Sequence, residues 1–170
     1  QTIPREVYER SNQWYDKLDD ERKKLDLLSR EAWVTCDSLK VLWRRAHPAV
    51  VSIWADMQQA VINAIANPGT PYTVGKLVIE SHKSWLTILL PSGRRVCYAG
   101  VRVEEDGVTY MDTEFTGAKW GRVRNYGGRF FQQCCQALAR DVLAHGMLNA
   151  ERDGYEITLT VHDEIVAETP

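Results

Sequence analysis

The 170-residue sequence lacks the features of membrane, secreted and metal-cluster proteins. No apolar run approaches the roughly 18 residues that a membrane-spanning helix needs. The N-terminus is polar and charged, without the pattern of a signal peptide. The four cysteines, Cys36, Cys97, Cys134 and Cys135, do not have the spacing of a metal site. We expect the adjacent pair Cys134 and Cys135 to be small core residues of a protein in a reducing compartment.

The sequence also has no excess of positive charge, because it contains 21 Lys and Arg and 23 Asp and Glu, which gives a net charge of -2. This balance excludes a globally basic nucleic-acid binder but leaves room for a local basic patch. Residues 81–103 and 119–140 each carry several basic residues and no acid. Both stretches could therefore bind nucleic acid electrostatically. Trp85, Tyr98, Trp120 and Tyr126 are interleaved with these basic residues, and we expect most of these rings to pack in the core.

The periodicity of apolar residues predicts an α+β fold with N-terminal helices, a small antiparallel β region, and a long helix leading into a β-hairpin. Residues 1–67 are helical in character, with one helical segment from Thr2 to about Leu28. A second helix starts at Ser29, and Pro48 opens a third. No internal repeat or low-complexity tract interrupts this pattern.

Residues 68–126 are predicted to be rich in short strands, with turns at residues 91–93 and at Asp106-Gly107. In residues 127–170, Gly127-Gly128 is expected to separate the strands from a long helix running from about Arg129 to Ala150. Two strands follow. The first is Tyr155–Val161, with Ile157, Leu159 and Val161 expected on one face, and the second is Ile165–Ala167.

Three ionisable residues, His162, Asp163 and Glu164, lie between these two strands, where a tight hairpin would place them at its tip. Consecutive acids cannot both be buried without a partner, because an unpaired buried carboxylate is costly. Mg²⁺ is one such partner, since it prefers carboxylate oxygens. A solvated charged turn is the alternative.

The long helix carries polar and apolar residues on opposite faces. The polar stripe consists of Arg129, Gln132, Gln133, Gln136 and Arg140. The expected core stripe consists of Phe131, Cys134, Cys135, Leu138 and Val142. Because the polar stripe holds only donors and amides, it could follow a phosphate backbone or reach into a minor groove. An ordinary solvated helix face is the alternative.

Together these features resemble the C-terminal polymerase region of family A DNA polymerases, the DNA polymerase I-like group, and above all its phage and prophage members. The resemblance rests on the helix at Gly127–Asp141, which precedes the His-Asp-Glu hairpin at Thr160–Glu168. It also rests on Cys36–Trp54, which looks like helices between fingers and palm, and on the turn at Leu90–Arg94. It covers about residues 28–170, whereas residues 1–27 look like a lineage-specific insertion.

The resemblance implies a role for each matching position. Asp163 would ligate catalytic Mg²⁺, with Glu164 as an auxiliary acid and His162 near the primer terminus. Gln136, and by weaker matches Gln132 and Arg129, would contact primer or template in the minor groove, beside the basic Arg140. The partners would be primer–template DNA and deoxynucleoside triphosphates, with no oligomer implied. Residues 1–67 would be fingers-like and residues 127–170 palm-like, in a protein of the bacterial host cytoplasm.

Two motifs of this family are missing from the sequence: an earlier palm strand with a second metal-binding Asp, and a fingers helix with Arg, Lys and Tyr-Gly. The chain also starts at Gln1 without Met and ends at Pro170, one strand past the hairpin. We therefore expect a fragment of a polymerase that is inactive alone.

Two other interpretations stay open. One is a non-catalytic nucleic-acid-binding remnant of a prophage polymerase. The other is a metal-dependent hydrolase that uses the His-Asp-Glu residues with Asp141 and His145 as further ligands.

Overall fold

The computed structural model describes residues 2–20, 23, 28–105, 107–113 and 119–168. It divides the chain into two compact units, Gln1–Ser52 and Ile53–Pro170. Helices, a six-stranded antiparallel sheet and a separate two-stranded hairpin confirm the predicted α+β class.

The first unit is built from helices α1 (Arg5–Asp16) and α2 (Arg30–Ala46) and the start of α3 (Pro48–Ala66), a helix that continues into the second unit. Ser29 caps α2 as predicted, because its Oγ accepts a hydrogen bond from the Ala32 backbone N–H at 3.3 Å. Val7 and Val34 are fully buried in the first unit. The break between α2 and α3 at Pro48 is confirmed.

The predicted helical segment from Thr2 to about Leu28 is interrupted, because α1 ends at Asp16. Asp20 and Lys23 are helical again, and the Lys23 N–H donates to the Asp19 carbonyl oxygen at 3.0 Å. The acids Asp16, Asp19 and Asp20 lie around this end, where negative charge opposes the helix dipole. Asp side chains also compete for backbone hydrogen bonds and so favour helix ends and turns. Residues 21, 22 and 24–27 of the predicted segment lie outside the described residues.

The sheet of the second unit pairs its six strands in chain order, each antiparallel to the next. The strands are β1 (Tyr72–Val74), β2 (Leu77–His82), β3 (Trp85–Leu89), β4 (Arg95–Glu104), β5 (Gly107–Thr113) and β6 (Trp120–Asn125). The turn at residues 91–93 is confirmed, and β4 and β5 pair as predicted, although Asp106 lies outside the described residues. β4 is a single long strand, with a bulge around Gly100 at a φ of +59°.

One face of the sheet forms the core with α3 and α4 (Gly127–Arg152). Leu86 and Ile88 of β3, Met57 of α3 and Phe130 of α4 are fully buried in this core. The Phe130 ring meets the ring of Tyr98 edge-on, with the centroids 4.9 Å apart. The helix that carries the candidate site is therefore fixed against the sheet by its first turns.

Gly127 and Gly128 do not separate the sheet from the helix as predicted, because α4 starts at Gly127 itself. The pair is needed for close packing. A Cβ atom on Gly127 would overlap the carbonyl oxygen of Trp54 on α3 and lie 2.7 Å from the backbone N of Gln58. The Gly127 N–H also donates a hydrogen bond to Gln58 Oε1 at 2.6 Å. Beyond α4, strands β7 (Glu156–Val161) and β8 (Glu164–Glu168) form the hairpin.

Candidate active-site hairpin and its helix

The hairpin turns on two residues, His162 and Asp163, between the last paired residues Val161 and Glu164. All three predicted residues are exposed, but Glu164 belongs to β8 and does not share the turn. His162 has a φ of +53°, in the left-handed region that residues with a Cβ avoid. The favoured two-residue hairpin turns call for a positive φ, and Lys83 in the turn between β2 and β3 has one as well, at +55°.

A bulge in β7 changes which side chains share a face. The register shifts between Ile157 and Leu159, so the prediction that Ile157, Leu159 and Val161 face one way is wrong. Ile157 and Thr160 are half-buried, whereas Leu159 is 56% and Val161 is 42% exposed. An extra residue at a bulge reverses the alternation of side chains beyond it.

A cleft of about 440 Å³ joins the hairpin tip to α4. Its lining consists of Gln136, Ala139, Arg140, Leu143, His162 and Asp163. Four of the seven residues predicted for the site therefore meet at one place. Gln132 and Arg129 lie one and two helical turns before Gln136, outside the cleft, and Glu164 is not in its lining either.

Ala139 and Leu143 complete the cleft and were not predicted as site residues. They follow Gln136 at i+3 and i+7, with Arg140 at i+4, which is the spacing of a single helix face. This helical spacing from Gln136 could have identified both residues from the sequence, but only with the knowledge that this face of α4 lies next to the hairpin. Because Ala139 and Leu143 are small or apolar, the charged or polar groups of the cleft are the Gln136 amide, the Arg140 guanidinium, the His162 imidazole and the Asp163 carboxylate.

The rest of α4 is rotated relative to the predicted stripes. Cys135 is exposed and Val142 is 73% exposed, so these two members of the expected core stripe are wrong. The predicted burial of Cys134 is confirmed, and Phe130 is buried as well. Burial raises the pKa of the Cys134 thiol to about 11. Tight packing at Gly127 fixes this rotation, which helical periodicity alone leaves open.

Gln133 points into the sheet and does not belong to an open polar stripe. Its Oε1 accepts hydrogen bonds from the Tyr98 hydroxyl at 2.9 Å and from Asn125 Nδ2 at 3.1 Å. Its Nε2 donates to the Tyr110 hydroxyl at 3.4 Å. Burial raises the pKa of Tyr98, so its hydroxyl keeps its proton and acts as a donor. Gln133 therefore fixes α4 to three strands.

The turn between β3 and β4 holds the middle of α4. Arg94 donates from Nε to Asp141 Oδ1 and from Nη2 to the Ala137 carbonyl oxygen, each at 2.7 Å. Ser92 Oγ donates to Asp141 Oδ2 at 2.6 Å. These hydrogen bonds, from Ser92 first and then Arg94, lower the pKa of Asp141. Asp141 is thereby engaged by this turn, which weakens the hydrolase interpretation, because Asp141 is one of its two additional ligands.

The connection from α4 to β7 sets the position of the hairpin. The Tyr155 N–H donates to the Ala150 carbonyl oxygen at 3.0 Å, and Gly154 adopts a φ of +93° to allow this closure. The Ile157 N–H donates to Glu151 Oε1 at 3.2 Å. Helix and hairpin are thus joined by both backbone and side-chain hydrogen bonds at the base of the hairpin.

The donor set at the hairpin fits a magnesium ion shared with a substrate. Mg²⁺ is commonly held by one or two carboxylates together with waters and substrate phosphates. Asp163 is an exposed carboxylate in the cleft, and Glu164 is the next residue. Within the described ranges, no cluster of three or more His, Cys, Asp and Glu could form a closed metal site. A single carboxylate such as that of Asp163 fits an open magnesium site, in which waters and substrate phosphates provide the other ligands.

Most of the interleaved aromatic rings are exposed, so the prediction that they pack in the core is wrong for three of four. Trp85 is 49%, Trp120 is 64% and Tyr126 is 62% exposed, whereas Tyr98 is buried. Trp85 and Trp120 lie on strands, where neighbouring side chains alternate between the two faces of the sheet. Their exposed positions belong to the face opposite the core.

Comparison with known proteins relates the chain to a phage DNA polymerase. The chain is 34% identical over 134 residues to the DNA polymerase of Bacillus phage SP02, which covers 75% of this chain. The chain spans about a fifth of that relative, as the alignment covers 20% of it. No protein-family model matches the chain. No solved structure matches it either. A helix with the length and apolar character to cross a membrane is not found among the described residues.

Proposed function

We propose that the chain supplies the metal-binding hairpin and primer–template contacts of a family A, DNA polymerase I-like enzyme of a phage or prophage. The reaction would be template-directed transfer of a nucleotide from a deoxynucleoside triphosphate to the primer 3′-hydroxyl. One observation carries the proposal: His162 and Asp163 share a cleft with Gln136 and Arg140 in a chain related to a phage DNA polymerase.

Asp163 is the residue that would hold Mg²⁺, and Glu164 is an auxiliary acid beside it. When bound, the metal ions of such a site stabilise the attacking 3′-hydroxyl and the leaving pyrophosphate. Asp163 directly follows His162, whose left-handed backbone forms the turn at the tip of the hairpin. We assign His162 to the primer terminus, because its exposed ring lines the same cleft.

Helix α4 would follow the DNA beside the hairpin. The contacts run from Arg129 through Gln132 and Gln136 to Arg140, and the 11 residue steps from first to last extend about 16 Å along the helix, which matches about five base-pair steps. Glutamine amides suit the minor groove, whose acceptors are similar in every base pair, so the contact does not select a sequence. Arg140 carries a fixed positive charge for a phosphate near the cleft.

The remaining catalytic groups would come from a longer polymerase chain. The phage relative is about five times the length that the alignment covers. Such a chain would supply the second metal-binding Asp and the nucleotide-binding helix, so residues 1–67 would be fingers-like and 127–170 palm-like. The 170 residues alone would then not polymerise DNA, and the whole enzyme would act in the cytoplasm of the bacterial host.

Single-nucleotide incorporation by the polymerase that contains this region tests the proposal. Asp163→Asn should lower the rate by at least about a thousandfold, since several kcal/mol of transition-state stabilisation are lost. Primer–template affinity should change by less than about twofold. Asp153→Asn is the matched control, because Asp153 is an exposed aspartate at the end of the same helix.

Incorporation that survives in Asp163→Asn would contradict the metal-ligand role. A complete wild-type protein that binds primer–template DNA but never extends it would instead favour the non-catalytic remnant.

A further inference from the structure

The face of the sheet opposite the core carries a row of side chains across four strands. The register pairs Trp85 with Ala99, Ala99 with Met111, and Met111 with Arg122. Residues directly opposite each other on paired strands share a face. The neighbours of this row along the strands, Leu86, Tyr98 and Tyr110, are buried in the core. The row therefore points away from the core, and we call this side the outer face.

Two tryptophans stand on the outer face. Trp85 belongs to the row itself, and Trp120 lies two residues before Arg122 on β6, so its side chain shares that side. They are 49% and 64% exposed. From β3 to β6 there are three strand spacings, and Trp120 lies two residues along β6 from the row. Together these offsets place the two tryptophans roughly 15 Å apart. Two large exposed aromatic rings on one face of a sheet are a feature of ligand-binding surfaces.

The outer face is also positively charged. Arg95, Arg102 and Arg124 are exposed, and the register places all three on the same side as Arg122. Arg122 Nη1 donates to Gly100 O at 3.0 Å and to Thr109 Oγ1 at 2.9 Å, which supports the bulge in β4. The acids on this face within the described strands are Glu80 and Glu104. The face thus has a positive balance, although the chain as a whole is at -2.

We propose that the outer face binds a single strand of DNA, with Trp85 and Trp120 stacking on bases and the exposed arginines contacting phosphates. Stacking on aromatic rings combined with a basic surface is how sheet faces bind single strands without sequence preference. A double helix keeps its bases stacked inside and would leave both rings unused. The identity of the ligand as DNA rests on the proposed polymerase function.

This surface is separate from the hairpin cleft. The cleft lies on α4, and α4 packs through Phe130 on the opposite side of the sheet. A strand on the outer face would therefore be held apart from the duplex that α4 follows. The unpaired part of a template fits this arrangement.

Anisotropy titration of the 170-residue chain with a labelled single-stranded oligothymidine tests the proposal. Trp85→Ala and Trp120→Ala should each weaken binding at least about fivefold, whereas the phenylalanine variants should keep most of the affinity. Trp14→Ala is the matched control, because Trp14 is 57% exposed on α1 and lies off the sheet. Arg102→Ala should lower the slope of log affinity against log salt by about 0.7, and Arg5→Ala should not.

Unchanged binding in both tryptophan variants, or an equal loss in Trp14→Ala, would overturn the proposal. Circular dichroism of each variant separates lost binding from lost folding, and the phenylalanine variants provide a second test if an alanine variant unfolds. This assay measures oligonucleotide binding without added metal ion or deoxynucleoside triphosphate, so its result does not depend on nucleotide incorporation. Failure of the metal-site proposal in the incorporation assay is thereby distinguishable from failure of the outer-face proposal here.

Discussion

Replacing Gly127 with alanine should separate the two helices that position the candidate site. The new methyl group would overlap the Trp54 carbonyl oxygen and lie 2.7 Å from the Gln58 backbone N, so the helices must move apart by about 1 Å or more. Both obstacles are backbone atoms, which cannot turn away as a flexible side chain can. The variant therefore tests the close packing of α3 on α4.

The cost can be estimated from separate contributions. Overpacking of this kind costs about 1–3 kcal/mol. Weakening the hydrogen bond from Gly127 N–H to Gln58 Oε1 adds about 1 kcal/mol. The higher helix propensity of alanine offsets at most about 1 kcal/mol. We expect a net loss of about 1–4 kcal/mol in the free energy of unfolding.

Urea unfolding followed by circular dichroism measures this loss. Gly146→Ala is the matched control, because Gly146 lies in the same helix at a place where a Cβ atom would meet open space among the described residues. That change should stabilise the protein by about 0.5–1 kcal/mol. If both alanine variants shift stability in the same direction, the reasoning about the helix contact is refuted.

Three further predictions concern the residues around the site. Gln133→Ala should destabilise the protein by about 2–3 kcal/mol, because the Tyr98 hydroxyl and the Asn125 amide lose their acceptor. In the same urea assay, replacing the exposed Gln132 with alanine should change stability by no more than about 0.5 kcal/mol. Asp141→Asn should lower stability at neutral pH. Because the pKa of Asp141 is lowered on folding, its contribution is present above about pH 4 and disappears as pH falls further, so the unfolding midpoints of wild type and variant should converge in acid. Replacing both hydrogen-bond donors, in the double variant Ser92→Ala with Arg94→Ala, should abolish most of this pH-dependent difference. His162→Gly should raise stability by about 1 kcal/mol by relieving the left-handed backbone, while primer–template affinity measured by anisotropy falls.

Local sequence signals were sufficient for much of the fold. Ser29 as a cap, Pro48 as a helix start and the turn at residues 91–93 each act through their own backbone chemistry, so they could be predicted residue by residue. The hairpin at His162 was predictable for the same reason, since two short β-type runs flank it. The predicted tip residue Asp163 does line the cleft.

The errors lie where tertiary packing decides. The rotation of α4 depends on the contact of Gly127 with α3, and Gln133 is turned inward by three strands that the sequence does not bring next to it. The exposure of Trp85 and Trp120 depends on which face of the sheet the helices cover. A bulge in β7 cannot be located from the alternation of side chains, because it is a break in that alternation.

The most direct test of the central claim is an NMR titration of the labelled chain with Mn²⁺, which can replace Mg²⁺ at carboxylate sites. We predict that amide signals of residues 162–164 broaden first, together with those of Gln136 and Arg140 across the cleft. Asp163→Asn should remove this pattern, and Asp153→Asn should keep it. Broadening confined to another acidic segment, or a pattern that survives in Asp163→Asn, would contradict a metal site at the hairpin.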